Sequence, residues 1–248
     1  SQSGGGVGMP RLGDAADPPA PPLRADGDRR CLVVADDPEL RAAIVAALTE
    51  RGVTVVPARD LEPGFAGAAA ALADAGAGGA VDAVVVAPGA FNDPTDGDDW
   101  EAVLADHVGL AEAIRADAAW ARAVADHAAA TDRPCRVIAL VPAPGPGGRS
   151  RAMAMAQLTR AASSATRGAV VAVTVAVAPG GADTVAAELA AHLAVAPDAA
   201  ALSGAELGAG PDRIVIRSHP TARGSVTVPG PDVPTWLDDV LREMIEPG

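Results

Sequence analysis

The chain has 248 residues, of which 49% are hydrophobic, with a formal net charge of −13 and a pI near 4.6. This length can bury one substantial core, and the acidic balance argues against a nucleic-acid or anionic-membrane surface, because both need clustered positive charge. All 19 basic residues are arginine, and the sequence contains neither lysine nor tyrosine.

Residues 1–29 are rich in proline and glycine and have little apolar periodicity. We expect a disordered tail there, with a tether that recruits a partner as the alternative. The N-terminus lacks the charged and apolar regions of a signal peptide, and no stretch is apolar for the length of a membrane span. Cys31 and Cys135 each stand at the start of a predicted central strand, and another strand lies between these two strands. The distance between the two cysteines is then too large for a disulfide. Reduced thiols favour a cytoplasmic location.

The segment from residue 30 to residue 60 predicts a β-α-β unit. Residues 32–34 form a short apolar run that is typical of a buried parallel strand. Apolar residues then recur at helical spacing, at Leu40, Ile44, Ala47 and Leu48. Gly52 ends this helix and residues 53–56 begin a second strand.

The turn between the first strand and its helix contains acids instead of the glycines that a phosphate site needs. Asp37 is a good N-cap, Pro38 suits the first helical position and Glu39 lies in the first turn. A pyrophosphate beside Glu39 would meet repulsion on the order of 4 kcal/mol per close charge pair. We therefore predict weak or absent NAD(P) binding and no other cofactor.

The remaining elements alternate between strands and helices. We predict helices over residues 65–75, 100–130, 149–166 and 184–194, and strands over residues 81–87, 136–141, 170–178 and 213–216. Apolar strands that alternate with helices imply an α/β fold with a parallel doubly wound sheet.

Several segments, in order, match one known family. Residues 82–89 resemble its strand ending in Asn-Asn-Ala-Gly, residues 100–107 its helix with the active-site Asn, and residues 136–142 its strand ending at the catalytic Ser. Residues 177–180 resemble its Pro-Gly turn, and residues 202–207 its late Thr-Gly segment. From about Cys31 to Ile214, the chain resembles the short-chain dehydrogenase/reductase family, which implies a Rossmann-like fold.

The chain departs from that family at the positions of its nucleotide-binding and catalytic residues. Ala35, Glu39 and Arg41 stand at the glycine positions of the nucleotide site, and His107 stands at the Asn position. Pro142 replaces the Ser, and Gly148 and Ala152 fall at the Tyr and Lys positions. Because the chain has no Tyr or Lys, the family mechanism cannot operate in this chain alone.

The resemblance also implies an unusual sheet and three regions of the chain. The interval from Asp60 to Asp82 is too short for the usual helix, strand and helix, so we expect one edge strand to be missing and a flavodoxin-like start. The chain then divides into the tail of residues 1–29, a degenerate domain of residues 30–217 and an extension of residues 218–248. With its missing edge strand, the domain of residues 30–217 resembles the inactive N-terminal domain of high-molecular-weight ketoacyl reductases.

The leading hypothesis is an inactive subunit that assembles with an active ketoacyl reductase or hydroxyacyl-CoA dehydrogenase of this family. The substrates would be thioesters of coenzyme A or acyl-carrier protein. The family assembles through two helices that correspond to residues 100–130 and 149–166, and self-association through these two helices is the alternative to a pairing with an active member. Met153, Met155 and Leu158 on the second helix suit either this interface or the core.

The C-terminal extension carries an apolar stripe at helical spacing. It comprises Trp236, Leu237, Val240, Leu241, Met244 and Ile245. The stripe packs either on the sheet of its own chain or across a subunit interface.

Other functions have weaker support. An enzyme with a different ligand in the same cleft, with His107 as its candidate group, is one alternative, and a homo-oligomeric ligand-binding protein is another. A receiver domain is disfavoured because Ala87 stands where its phosphoacceptor Asp would fall and lysine is absent. The remaining histidines complete no metal spacing with either cysteine. Asp106 and His107, being sequence neighbours on a helix, point apart.

Overall fold

The computed structural model describes residue 25 and residues 27–58, 64–92, 97, 99–180 and 183–219. The predictions for the first 24 residues and for the apolar stripe from Trp236 to Ile245 lie outside the described residues.

The described residues form seven strands and six α-helices. The strands are β1 Arg30–Ala35, β2 Thr54–Pro57, β3 Ala83–Ala87, β4 Cys135–Pro142, β5 Val170–Val177, β6 Glu206–Ala209 and β7 Ile214–Ser218. The α-helices are α1 Pro38–Glu50, α2 Gly64–Gly76, α3 Trp100–Ala105, α4 Leu110–Thr131, α5 Gly145–Ala165 and α6 Asp183–Val195. A 3₁₀ helix, Pro197–Leu202, follows α6.

The strands form one sheet in the order β2-β1-β3-β4-β5-β6-β7, parallel except for β7. This order confirms the α/β doubly wound sheet with a flavodoxin-like start, because α2 is the only described element between β2 and β3. β3 separates β1 from β4, so Cys31 and Cys135 are on strands that are not neighbours. Both cysteines are buried and free, as predicted.

Helices cover both faces of the sheet. Alternate strand residues, including Val33, Val85, Leu140 and Val175, pack with residues of α1 and α6. Residues on the opposite face, including Leu32, Val84, Val137 and Ala172, pack with α2, α4 and α5. Burial on both faces explains why the central strands are almost continuously apolar.

Two of the predicted helices have different bounds. The helix predicted over residues 100–130 is broken into α3 and α4, because the chain turns at Gly109 with φ of 86°. The left-handed conformation there favours glycine over other residues. The helix predicted from Arg149 begins four residues earlier, at Gly145, because Pro146 fits the first turn, where a missing N–H costs nothing.

The final strand was predicted wrongly as part of the core. The chain reverses after β6 through a turn in which the Gly210 N–H donates to the Arg213 carbonyl at 2.8 Å. β7 therefore pairs antiparallel with β6, at the edge of the sheet, and Ile214, Val215 and Ile216 are exposed. Its apolar run resembles that of a buried strand, and sequence alone does not distinguish the two.

Candidate functional site

The carboxyl ends of the parallel strands form the edge where proteins of this architecture bind ligands. The turn between β1 and α1 lies at this edge. Asp37 is the N-cap of α1, and its Oδ1 accepts hydrogen bonds from the N–H groups of Glu39 at 2.7 Å and Leu40 at 2.9 Å. This arrangement confirms the predicted capping role of Asp37 with Pro38 in the first turn. The protein's own carboxylate thus takes the donors that would otherwise face an anion.

A second carboxylate joins two neighbouring strand ends. The Gly89 N–H, after β3, donates to Oδ2 of Asp36 at 2.7 Å, and the Asp36 N–H donates to the Ala87 carbonyl at 3.1 Å. These bonds cross the point between β1 and β3 where the direction of strand addition reverses, which is where such folds open a crevice for a dinucleotide.

A third carboxylate lies at the N-terminus of α5. Asp106 is buried, and its Oδ2 accepts a hydrogen bond from the Gly147 N–H. Its backbone carbonyl accepts from Nδ2 of Asn92 at 2.7 Å. The approach needs glycine, since a Cβ at Gly147 would overlap the Asp106 carbonyl oxygen. The first turn of α5 is therefore also closed by the protein itself.

A cavity of about 180 Å³ remains at this edge, and we call it the relic cleft. It is lined by Leu40, Leu140, Pro142, Pro144, Val177, Ala178, Pro179, Gly180 and Asp183. Ligand pockets usually measure about 300 to 1,000 Å³, so the volume is small for a dinucleotide. A pyrophosphate at α1 would also have to displace Asp37 and lie beside Asp36 and Glu39. The residues present do not fit this cofactor.

His107 and Ser150 form a hydrogen-bonded pair between the turn after α3 and α5. His107 Nδ1 lies 2.7 Å from the Val103 carbonyl oxygen, and Nε2 lies 2.9 Å from Ser150 Oγ. A carbonyl oxygen only accepts, so Nδ1 carries the hydrogen and Nε2 of the neutral ring accepts from the serine hydroxyl. Such a pair can activate an oxygen nucleophile.

A buried ion pair links α4 to α5 behind this edge. Arg151 Nε and Nη2 donate to the two carboxylate oxygens of Asp117, each at 2.8 Å. Its Nη1 donates to the Gly89 carbonyl at 2.8 Å, and its guanidinium carbon lies 5.9 Å from the centre of the Phe91 ring. The side chains of Arg151 and Asp117 are 4% and 3% exposed, so this buried ion pair connects α5 to α4 and helps to fix their positions.

The structure separates the remaining candidate residues. Gly148 packs against Ala143 and Pro144, and Ala152 is fully buried, so neither of these positions faces the relic cleft. Of the predicted site residues, Pro142 lines this cleft. Ala35 and Arg41 are half-buried around the Asp37 cap, and Glu39 is exposed.

The candidate interface residues of α5 also differ in exposure. Met153 is 57% exposed, whereas Met155 is 1% exposed and lies in the core, as the alternative for this residue held. Leu158 is half-buried and packs against the same group of core residues.

The thiols of the two cysteines have low reactivity. Burial raises the pKa of Cys135 to about 12, and burial raises the pKa of Cys31 further, so both thiols stay protonated at neutral pH. Within the described part of the chain, no three His, Cys, Asp or Glu side chains are grouped so that they could hold a metal ion. None of the described helices combines the length and apolarity needed to cross a membrane.

Sequence reasoning missed Asp36, Asp106, Ser150 and the Arg151 pair. Asp36 follows strand β1 and Asp106 follows helix α3. Their hydrogen-bond partners, Gly89 and Gly147, are distant in sequence, so no local pattern reveals either contact. Arg151 and Asp117 lie on separate helices, α5 and α4, so no local pattern in the sequence pointed to their pairing.

Solved structures with a similar fold include short-chain dehydrogenases. A short-chain dehydrogenase from Mycobacterium avium aligns over 88% of this chain and 94% of its own, with a TM-score of 0.61 and 15% identity. A short-chain dehydrogenase/reductase from Sinorhizobium meliloti 1021 aligns over 75% and 98%, with a TM-score of 0.56 and 14% identity. The N-domain of a bacterial malonyl-CoA reductase, solved with NADP, aligns over 71% and 41%, with a TM-score of 0.53 and 19% identity.

Sequence comparisons add no closer relative. No protein-family model matches the chain, and a search of curated proteins finds no significant match. At identities this low the structural likeness establishes architecture and leaves activity open. The chain has the Rossmann-like fold of the short-chain dehydrogenases.

Proposed function

We propose that this chain is a catalytically inactive subunit with a short-chain dehydrogenase fold, which assembles with an active member of that family and supports it. The observation that carries the proposal is the closure of the nucleotide edge by the protein's own carboxylates. Asp37 satisfies the first turn of α1, and Asp36 bridges to Gly89. An oxidoreductase of this fold needs that edge for its cofactor.

The catalytic side of the edge supports the same proposal. The chain has no tyrosine to donate a phenolic proton and no lysine to lower the pKa of such a group. The positions aligned with these residues, Gly148 and Ala152, pack inside the protein. A single substitution at either position would not restore the missing groups to the cleft.

An exposed apolar surface offers the partner a place to bind. Trp100, Leu104 and Val108 follow one another at four-residue spacing, and Met153 lies one turn beyond Ser150 on α5. These four side chains, the α3–α5 apolar surface, are between 54% and 70% exposed. The bond from His107 to Ser150 links the turn after α3, next to Leu104 and Val108, to α5, which carries Met153. Exposed apolar groups of this kind commonly mark protein interfaces.

The substrates of the active partner would be acyl thioesters. This part of the proposal rests on the resemblance to ketoacyl reductases and hydroxyacyl-CoA dehydrogenases, and on the likeness to the malonyl-CoA reductase N-domain. The present chain would act through its surface, and its own cleft would take no part in hydride transfer.

The test is purification of the chain from its native host under mild conditions, with mass spectrometry of the co-purifying proteins. We expect a stoichiometric dehydrogenase that contains the family's Tyr and Lys and reduces or oxidises acyl thioesters. Met153→Arg should lower its recovery, because a buried unpaired charge opposes association. Ile216→Arg is the matched control, since Ile216 is also exposed but lies on β7. Equal loss with both variants, or recovery of this chain alone, would contradict the proposal.

A second candidate function is an enzyme that uses a ligand other than a dinucleotide, at a place outside the relic cleft, because neither His107 nor Ser150 is among the residues that line that cleft. The pair of His107 and Ser150 favours it. In such a reaction Ser150 Oγ would attack an acyl carbonyl while its proton passes to His107 Nε2, and the departing alcohol or thiol would take that proton. The Val103 carbonyl would hold the imidazole in the required tautomer.

A fluorophosphonate probe separates the two candidates. The probe loses fluoride as a serine oxygen bonds to phosphorus, and the serine proton passes to the base. The second candidate predicts labelling of Ser150 that disappears in Ser150→Ala and falls strongly in His107→Gln. The inactive-subunit proposal predicts no labelling above that of the unfolded chain.

A further inference from the structure

The hairpin of β6 and β7 is the feature that the proposed function leaves unused. β7 runs antiparallel to β6, and the connecting turn lies at the carboxyl end of β6. Gly208 of β6 stands directly opposite Val215 of β7. Because residues opposite each other in an antiparallel pair share a face, Gly208, Val215 and the alternate neighbours of Val215 point to one side of the sheet.

A cavity of about 620 Å³ opens on this hairpin, within the usual size range for small-molecule sites. It is lined by Ala178, Gly208, Ala209, Gly210, Pro211, Asp212, Arg213, Val215 and Arg217. The lining thus combines small residues, two glycines and two alanines, with two arginines and one aspartate. The cavity shares Ala178 with the relic cleft and is more than three times as large.

Two arginines project into this cavity, and the glycines opposite them make room for their side chains. A Cβ on Gly208 would lie 2.7 Å from Arg217 Nε, so the Arg217 side chain rests directly on the glycine backbone. A Cβ on Gly210 would lie 3.4 Å from Arg213 Cγ, which is ordinary contact. The absence of a side chain at Gly208 therefore sets the position of Arg217.

Neither guanidinium has a hydrogen-bond or ion-pair partner among the described residues. Most of the other arginines among the described residues bind a carboxylate or a backbone carbonyl, as Arg51, Arg136 and Arg160 do. Arg213 and Arg217 line the same cavity with their donors unused, in a chain whose net charge is −13. Unpaired guanidiniums that converge on a concave surface are suited to carboxylates and phosphates.

We propose that this hairpin cavity is a binding site for a small organic anion that carries a carboxylate or phosphate group. Arg217 and Arg213 bind the anionic group, and Val215, Pro211 and Ala178 contact the apolar remainder. Asp212 is the one acid in the lining, so the three charged side chains together carry a net charge of +1. This net positive charge favours ligands that carry a negative charge. The site lies beside the relic cleft, with which it shares Ala178, and does not depend on the partner.

The simpler explanation is that the arginines only protect an edge strand from pairing with another chain. That role needs charge on the edge but no particular position of a guanidinium in the cavity. The two explanations therefore differ in what moving Arg217 should do at constant charge.

The test is a titration of the full chain with sodium phosphate and with sodium butyrate, followed by NMR through the arginine Nε–H signals. Sodium chloride at equal ionic strength is the reference. We expect saturable shifts of the Arg213 and Arg217 signals with at least one of the two anions. The variant R213Q/R217Q should bind that anion about ten-fold more weakly or not at all. R41Q/R149Q carries the same charge change outside the cavity and should bind as the wild type does.

Gly208→Ala tests the geometry without changing the charge. Its Cβ would lie 2.7 Å from Arg217 Nε and 2.9 Å from Val215 Cγ2, so it should displace both side chains and weaken the same anion severalfold. Gly210→Ala should leave binding unchanged. Circular dichroism confirms that each variant is folded. Shifts no larger than those with chloride, or equal loss in R213Q/R217Q and R41Q/R149Q, would overturn the proposal. Unchanged binding in Gly208→Ala would overturn the placement of Arg217.

Discussion

The stability of this protein should have an unusually simple dependence on alkaline pH. In most proteins lysines, tyrosines and cysteines all titrate between pH 9 and pH 12, but this chain has no lysine or tyrosine. In the unfolded chain, the two thiols of Cys31 and Cys135 are therefore the only side chains expected to lose protons in that range. In the folded chain both are buried, on β1 and β4, with pKa values raised above the ordinary 9.0 by desolvation.

The sign of the effect follows from which state holds the protons. Above pH 9 the unfolded chain releases both thiol protons, while the folded chain keeps them until its raised pKa values near or above 12 are reached. The free energy of unfolding should thus be nearly level between pH 8 and pH 9 and fall above pH 9. Each thiol contributes about 1.4 kcal/mol per pH unit, so the loss from pH 9 to pH 11 is about 5 kcal/mol for both. A loss of that size is comparable to the whole stability of many domains.

Urea unfolding, followed by circular dichroism in the presence of a reductant, measures this loss at intervals between pH 8 and pH 11. The variant C31A/C135A is the control, since it removes both titrating groups and should show a level profile. Either single variant should show about half the wild-type decline. An equal decline in the double variant, or a level profile in the wild type, would refute the assignment of alkaline instability to the buried thiols.

Three further predictions concern packing around the site. Arg151→Met should lower the free energy of unfolding by about 3–5 kcal/mol, because it leaves Asp117 charged and buried, while D117L/R151M should cost less than this single change in urea melts. Asp37→Ala should cost about 1 kcal/mol through loss of the α1 cap, and Asp37→Asn should cost much less in the same assay. Gly148→Ala should lower the midpoint of thermal unfolding, since its Cβ would lie 2.8 Å from the Ala143 Cα, and an unchanged midpoint would contradict the packing described.

Local sequence patterns were enough to predict the parts of the fold that depend on short-range order. The cap of α1 by Asp37 was predictable because the capping residue, Pro38 and Glu39 stand next to one another. The missing edge strand was predictable from the length of chain between β2 and β3. The buried central strands were predictable from their apolar runs.

Features that depend on distant parts of the chain were not predictable. Asp36 reaches Gly89, and Asp106 reaches Gly147, only because the sheet brings separate strand ends together. The position of β7 depends on a turn that reverses the chain, whereas its composition suits a buried parallel strand equally well. The break at Gly109 lies inside an amphipathic pattern that continues on both sides, so periodicity alone does not reveal it.

We propose that this chain does not hold a dinucleotide itself and works beside a subunit that does. The most direct test is the number of NAD(H) or NADP(H) molecules bound per chain, measured by calorimetry on the isolated chain and on the complex from the native host. We expect none for the isolated chain and, in the complex, a number equal to that of active partner chains. Stoichiometric binding by the isolated chain, with turnover of a substrate, would contradict it.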